Sequence, residues 1–323
     1  MLSDFFICET AFSHEGDYDY LLQQVILIGE SNLKVIKFQI LLDPTSYFHP
    51  SSSRPDWCFS LDAWRDIFNF ARQYGLEIVG LPLDLMALNF CMDMGVEAIE
   101  IHPVMVSDMP FIRYLSEKYT GEVILGISGV ERSRLDHIID LFDRPIILML
   151  GFQSFPTHFL DSNLFHISNL RSDYPRHSLG FADHSSHDSL WAFKLPELAV
   201  ALGVRYIEKH FVLEKGRKRI DFDSALNIED LSDLRQSLSC IFDLKNSTNG
   251  YKFSRLELQY ANRRKIAHSS KLILPGQIIT DDCLVWLSAK YDDNLVNRPE
   301  DVVGRICLKP IRPLAPVRHG DLK

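Results

Sequence analysis

Short runs of consecutive apolar residues recur along the chain, with amphipathic stretches between them. The first four are FFICE (Phe5 to Glu9), LKVIKFQ (Leu33 to Gln39), EIVGL (Glu77 to Leu81) and EAIEI (Glu97 to Ile101). EVILGI (Glu122 to Ile127), PIILML (Pro145 to Leu150), SLGFA (Ser178 to Ala182) and RYIEK (Arg205 to Lys209) bring the number to eight. Runs of this length without strict alternation suit strands buried on both faces. Helix signals fill the gaps. SLDAWRDIFNFARQYG has Ser60 as a cap, apolar residues at helical spacing and Gly75 as a stop. DLMALNFCMDMG ends the same way at Gly95, and SDMPFIRYLSEKYTG and VERSRLDHIIDLFD follow. HDSLWAFKLPELAVALG precedes the eighth run, with Pro196 expected to kink or break its helix. IEDLSDLRQSLSCIFDLK comes after that run.

Eight strands alternating with helices over about 240 residues predict a parallel (β/α)8 TIM barrel. An open doubly wound sheet is the rival, but it gives an eighth strand no special place. No GxGxxG turn follows the first run, which weakens a dinucleotide-binding reading. From Ala261 on, short extended pieces alternate with turns such as Pro275-Gly276, which predicts a small β-rich domain. The polar KNSTNGYKFSR (Lys245 to Arg255) marks the connection. The expected division is a barrel over 1–245, a linker over 246–260 and a β-rich domain over 261–323.

The formal net charge of −9 argues against a nucleic-acid partner. KGRKR (Lys215 to Arg219) is a local exception, either a solvated loop or a phosphate contact. No run is long enough to span a bilayer, and MLSDFFICE lacks the basic start of a signal peptide. The 6 cysteines are scattered without a C-x-x-C pair, as expected of free thiols in a cytoplasmic protein.

Candidate chemistry sits at the strand ends, where a barrel of this kind places its active site. GFADHSSH (Gly180 to His187) and RYIEKHF (Arg205 to Phe211) put His184 and His210 beyond two successive strands. Each can be a polar strand-end residue. Together they can converge on a divalent ion acting as a Lewis acid, with Asp183 and Glu208 as outer partners. Glu9 closes the first strand, followed by SHEGD with His14. Lys37 and Gln39 close the second. A lysine in an apolar strand needs an anion, either a ligand or a structural carboxylate such as Glu100.

These pieces together resemble the sialic acid (N-acetylneuraminate) synthase family, which includes related nonulosonic acid synthases. CETAFSHEGD is similar to the family's opening Glu, then Asn-His, then Gly. VIKFQ resembles its Lys-x-Gln, FPT its Tyr-Pro-Thr, GFADHS its Gly-x-Ser-Asp-His-Thr, and IEKHF is nearly unchanged. The tail RRKIAHSSKLILPGQIITDDCLVWL resembles the family's antifreeze-like (SAF) domain. The resemblance implies a barrel plus SAF domain, in a domain-swapped homodimer. It implies condensation of phosphoenolpyruvate with an N-acylated amino-sugar aldehyde, with Mn2+ or Mg2+ as cofactor. By motif position, His184 and His210 would hold the metal. Lys37 and Gln39 would face phosphoenolpyruvate, and Glu9 would sit at the reaction centre. His14, Ser128, Gln153, Phe155 and Asp221 would contact substrate.

The same alignment of motifs shows departures. The third strand ends GLPL (Gly80 to Leu83) where the family has hydroxyls. EIHPVM (Glu100 to Met105) has Glu for Lys, Pro for Ser and Met for Glu. Ala182 stands for a Ser, and LSAK (Leu287 to Lys290) lacks the SAF-domain arginine. The expected consequence is weak phosphoenolpyruvate binding, unless Arg113, Arg132 or Arg217 compensates from nearby loops. Two alternatives follow: metal-dependent carbon–carbon chemistry on a non-phosphorylated donor, or a non-catalytic sugar-binding scaffold.

Overall fold

All eight apolar runs form strands, and the strands close on themselves. In the computed structural model β1 (Phe6–Glu9), β2 (Val35–Ile40), β3 (Glu77–Pro82) and β4 (Ala98–Ile101) are followed by β5 (Glu122–Gly126), β6 (Ile147–Leu150), β7 (Ser178–Asp183) and β8 (Tyr206–His210). Each pairs in parallel with the next, and β1 pairs with β8. The structure describes residues 2–323 apart from 53, 55–56, 152–153, 248–252 and 291.

The helices are α1 (Tyr18–Glu30), α2 (Pro44–Tyr47), α3 (Leu61–Gln73), α4 (Leu85–Asp93), α5 (Met109–Lys118), α6 (Arg132–Ile139), α7 (His166–Asp173), α8 (Trp191–Leu202), α9 (Ile228–Ser247) and α10 (Arg255–Ala261). The expected punctuation of α3 holds. Ser60 Oγ accepts from the Ala63 N–H, and Gly75 takes a left-handed φ of 71°. Losing such a cap costs about 1 kcal/mol. Pro196 does not break its helix; it stands inside α8, buried beside Leu195 and Ala199. Burial of that face outweighs the one backbone hydrogen bond a proline removes.

Strand parity sets up the site. Ile7, Val35, Val79, Ala98, Ile124, Ile147 and Tyr206 pack together with Leu2, Met149 and Ala182 as an apolar cluster inside the barrel. Their neighbours Phe6, Cys8, Ile36, Phe38, Ile99 and Ile207 belong to the larger core shared with the helices. Residues two positions on from the inner set, such as Glu9, Lys37, Glu100 and Glu208, therefore also point inward, nearer the C-terminal ends.

Two compact units are present, 1–247 and 248–323. The expected linker thus begins within α9 and ends within α10. The second unit pairs β9 (Ile266–Ser269) antiparallel with β10 (Leu284–Leu287). Isolated bridges such as Ile273 with Ile311 extend it, around a small core of Ala267, Ile279, Val296, Cys307 and Val317. Among the described residues no helix is long and apolar enough to cross a membrane.

Candidate functional site

Glu9, Lys37, Gln39, Glu100, His102, Phe155, His184, Glu208, His210 and Asp221 line one cavity at the C-terminal ends of the strands. The alternation just described brings them together. Glu9 pairs in register with Lys37 on one side and His210 on the other.

The floor is a cage around Lys37. Its Nζ lies 2.6 Å from Glu100 Oε2, 2.9 Å from Glu208 Oε2 and 3.3 Å from Glu9 Oε2. All four residues are at most 3% exposed. One ammonium cannot balance three buried carboxylates, so the carboxyls divide. Burial raises the Glu208 pKa well above the usual carboxylate range; Lys37 opposes the rise, and the neighbouring Glu100 and Glu9 add to it. Glu100 is raised too, by burial first. Burial also acts against an ionised Glu9, but Lys37 and His210 hold it well below the ordinary value. Lys37 itself is pushed up: the three glutamates together outweigh the cost of its burial. The structural-carboxylate alternative for Lys37 is therefore the arrangement found.

Above the cage lie the histidines. Their ring centroids are 4.9 Å apart, and His210 Nε2 is 3.3 Å from Glu9 Oε2. Gln39 Nε2 donates to Glu9 Oε1 at 2.7 Å. Ser224 Oγ stands 3.5 Å from His210 Nδ1, and its loop carries Asp221, whose carboxyl is raised by burial. Phe155 lies over both imidazoles, its ring centroid 5.6 Å from His210 and 4.8 Å from His184. The enclosed free volume is about 30 Å³, room for about one or two waters.

Imidazole and carboxylate groups, the side-chain types that bind divalent ions, meet in this cavity. Two ligand atoms at about 2.1 Å from one ion are about 3 Å apart at right angles, close to the Glu9–His210 separation. Among the described residues, no group of three or more His, Cys, Asp or Glu is arranged to hold a metal ion. What the geometry places together is two imidazoles with Glu9 beside His210.

Other residues expected at the site lie elsewhere or make other contacts. His14 does not line the cavity: it is fully buried among Phe12, Phe59 and Trp64, and burial lowers its pKa to about 4. Ser128 faces a neighbouring cavity of about 360 Å³ between the loops after β5 and β6, and its Oγ accepts from the Gly151 N–H at 3.2 Å. Gln153 lies outside the described residues. Of the two expected outer partners, Asp183 pairs with Lys209, and Glu208 with Lys37. No arginine lines the cavity among the described residues. Arg132 pairs with Asp173 and Arg217 with Glu214. In KGRKR, Lys215 and Arg219 likewise meet the chain's own carboxylates.

His102 and Lys209 were not anticipated. His102 ends the EIH segment in register with the inward parity, which was the available signal; burial lowers its pKa to about 4, with Lys37 adding to the effect. Pro103 follows it and packs against Gly126, where an added Cβ would come within 2.4 Å of the proline ring.

Residues 50–249 match the NeuB family. The human N-acetylneuraminate-9-phosphate synthase is 22% identical over 321 residues, covering 92% of this chain and 86% of that protein. The N,N'-diacetyllegionaminic acid synthase of Legionella pneumophila is 21% identical over 306 residues, covering 87% and 84%. The crystal structure of the N-acetylneuraminic acid (sialic acid) synthetase of Leptospira borgpetersenii superposes with a TM-score of 0.73 at 22% identity, over 80% of this chain and 90% of that one.

Proposed function

The chain belongs to the NeuB family, and from that premise we propose that it is a nonulosonic acid-type synthase of surface-carbohydrate biosynthesis. It joins phosphoenolpyruvate to an N-acylated amino-sugar aldehyde. The observation that carries this reading is the convergence of Glu9, Lys37, Gln39, His184 and His210 in one cavity. A divalent ion, Mn2+ or Mg2+, held by His184 and His210 would polarise the aldehyde oxygen. The remaining steps use the chain's own groups. The enol carbon bonds to the aldehyde carbon, whose oxygen takes up a proton. Water adds at the neighbouring carbon and gives its proton to Glu9, kept ionised by Lys37 and oriented by Gln39. Phosphate leaves with C–O cleavage and takes the proton of the new hydroxyl, which becomes the ketone, and the proton on Glu9 makes good the one taken up by the aldehyde oxygen. Phe155 keeps bulk water from the histidines, and Asp221 accepts from a sugar hydroxyl.

A second reading is favoured by the cage on Lys37: with three carboxyl groups already around its ammonium, the donor carries no phosphate. One assay separates the two. Purified protein with Mn2+, N-acetylmannosamine and phosphoenolpyruvate should release inorganic phosphate in step with a nine-carbon acid seen by mass spectrometry. Product from pyruvate without phosphate release would select the second reading. Sugar binding without product from either donor would leave a scaffold.

The unit 248–323 is read as the antifreeze-like (SAF) domain, and the assembly as a domain-swapped homodimer in the cytoplasm. The unit's separate small core supports the domain reading. A monomer by light scattering would remove the assembly.

A further inference from the structure

We infer that the buried ion pair between Asp183 and Lys209 is a register lock that holds His184 and His210 side by side. Both residues act through the histidines, as positioning residues. The inference rests on reading those histidines as one centre.

The outward faces of β7 and β8 meet the helix layer with Leu179, Phe181 and Ile207. Asp183 and Lys209 continue those faces, yet they are charged and only 2% and 0% exposed. They are direct partners in the β7–β8 register, with Lys209 Nζ 2.5 Å from Asp183 Oδ2. The same carboxylate reaches past His184. It accepts from Ser185 Oγ at 2.7 Å and from the Ser185 N–H at 3.3 Å, while Lys209 Nζ lies 3.4 Å from Ser185 O. Each histidine is thus the immediate chain neighbour of one member of the pair.

Such a pair adds little net stability over two apolar side chains. What it adds is discrimination. Alternation along a strand has a period of two, so it cannot tell the true pairing from one slid by two residues. In either, the apolar residues face out and the histidines face in. A slide of two displaces one imidazole past the other by about 6.6 Å. Ligand nitrogens sharing an ion sit about 3 Å apart. In the slid pairing Lys209 would oppose Phe181, leaving two unmatched charges in an apolar layer. The ion pair penalises the one error that the hydrophobic pattern permits.

The test compares wild type with two double variants. Asp183→Leu with Lys209→Met makes the layer apolar; Asp183→Asn with Lys209→Gln removes the charge but keeps hydrogen bonding. Thermal unfolding, the ring-proton NOE between His184 and His210 without metal, and Mn2+ titration are read on each. The apolar pair is expected to unfold near the wild-type temperature, lose the NOE and bind Mn2+ at least tenfold more weakly. The Asn/Gln pair should recover most of both. A folded apolar variant that keeps the NOE and the affinity overturns the inference. If the apolar pair does not fold, the Asn/Gln form decides: a retained NOE supports the lock, and a folded form without it overturns the lock. Absence of Mn2+ binding by wild type would remove the metal reading alone, because the NOE comparison needs no metal.

Discussion

The two halves of the barrel mouth differ in what they offer a ligand. Strands β1, β2, β7 and β8 supply Glu9, Lys37, Gln39, His184, Glu208 and His210, linked by contacts of 2.7–3.3 Å from Gln39 through Glu9 to Lys37 and His210. Strands β3 to β6 and their ends supply His102, Pro103, Gly126 and Met149 beside a single acid, Glu100. On the proposed reading one half holds a cation and moves protons. The other offers few donors to an anionic group, His102 being its one imidazole, and its one charged residue has the wrong sign for phosphate. On that reading the difference separates the part of the reaction done at the aldehyde from the part done at the donor.

The largest expected effect removes the equipped half. His184→Ala or His210→Ala should abolish Mn2+ binding and lower kcat by about a thousandfold, the equivalent of about 4 kcal/mol. Calorimetry and initial rates measure the two, and a variant with full activity would show that the histidines are bystanders.

Next, Glu100→Lys should restore the other half. It leaves two ammonium groups facing Glu9 and Glu208, a balanced floor. Phosphoenolpyruvate affinity should rise by about ten- to a hundredfold, from a wild-type value weaker than micromolar. Micromolar binding by the wild type in calorimetric titration would erase the contrast between the halves.

A smaller effect concerns pH. The folded pKa of Glu208 lies above its unfolded value, so its contribution to stability is complete below about pH 4.3 and is lost as pH rises toward the folded value. Glu208→Gln avoids that loss. Its Tm should exceed wild type by a few degrees at pH 8, with the gap closing toward pH 4. A gap independent of pH, by calorimetry, would mean that Glu208 does not carry the extra proton.

The smallest effect belongs to Ser128, which lies off the centre. Ser128→Ala should change kcat/KM by less than about threefold and cost about 1 kcal/mol, the loss of its hydrogen bond with Gly151. A drop of a hundredfold would bring the neighbouring cavity into the active site.

The sequence by itself determined the eight strands, their order and the placement of Glu9, Lys37, Gln39, His184 and His210 at strand ends. Long apolar runs and turn residues are local signals, and parity along a strand fixes which residues share a face. It also held both possible partners for Lys37, an anionic ligand or Glu100. Tertiary structure alone showed that the second contact is made, Glu100 reaching Lys37 across the lumen at 2.6 Å. It likewise decided that His14 is core, since Phe59 and Trp64, which pack against it, come from a segment about 45 residues away. The Lys209–Asp183 pair was invisible for the same reason: a charged residue in an apolar run reads as a strand end until the partner 26 residues away is seen. Burial and pairing depend on which strands become neighbours, and only closure of the barrel settles that.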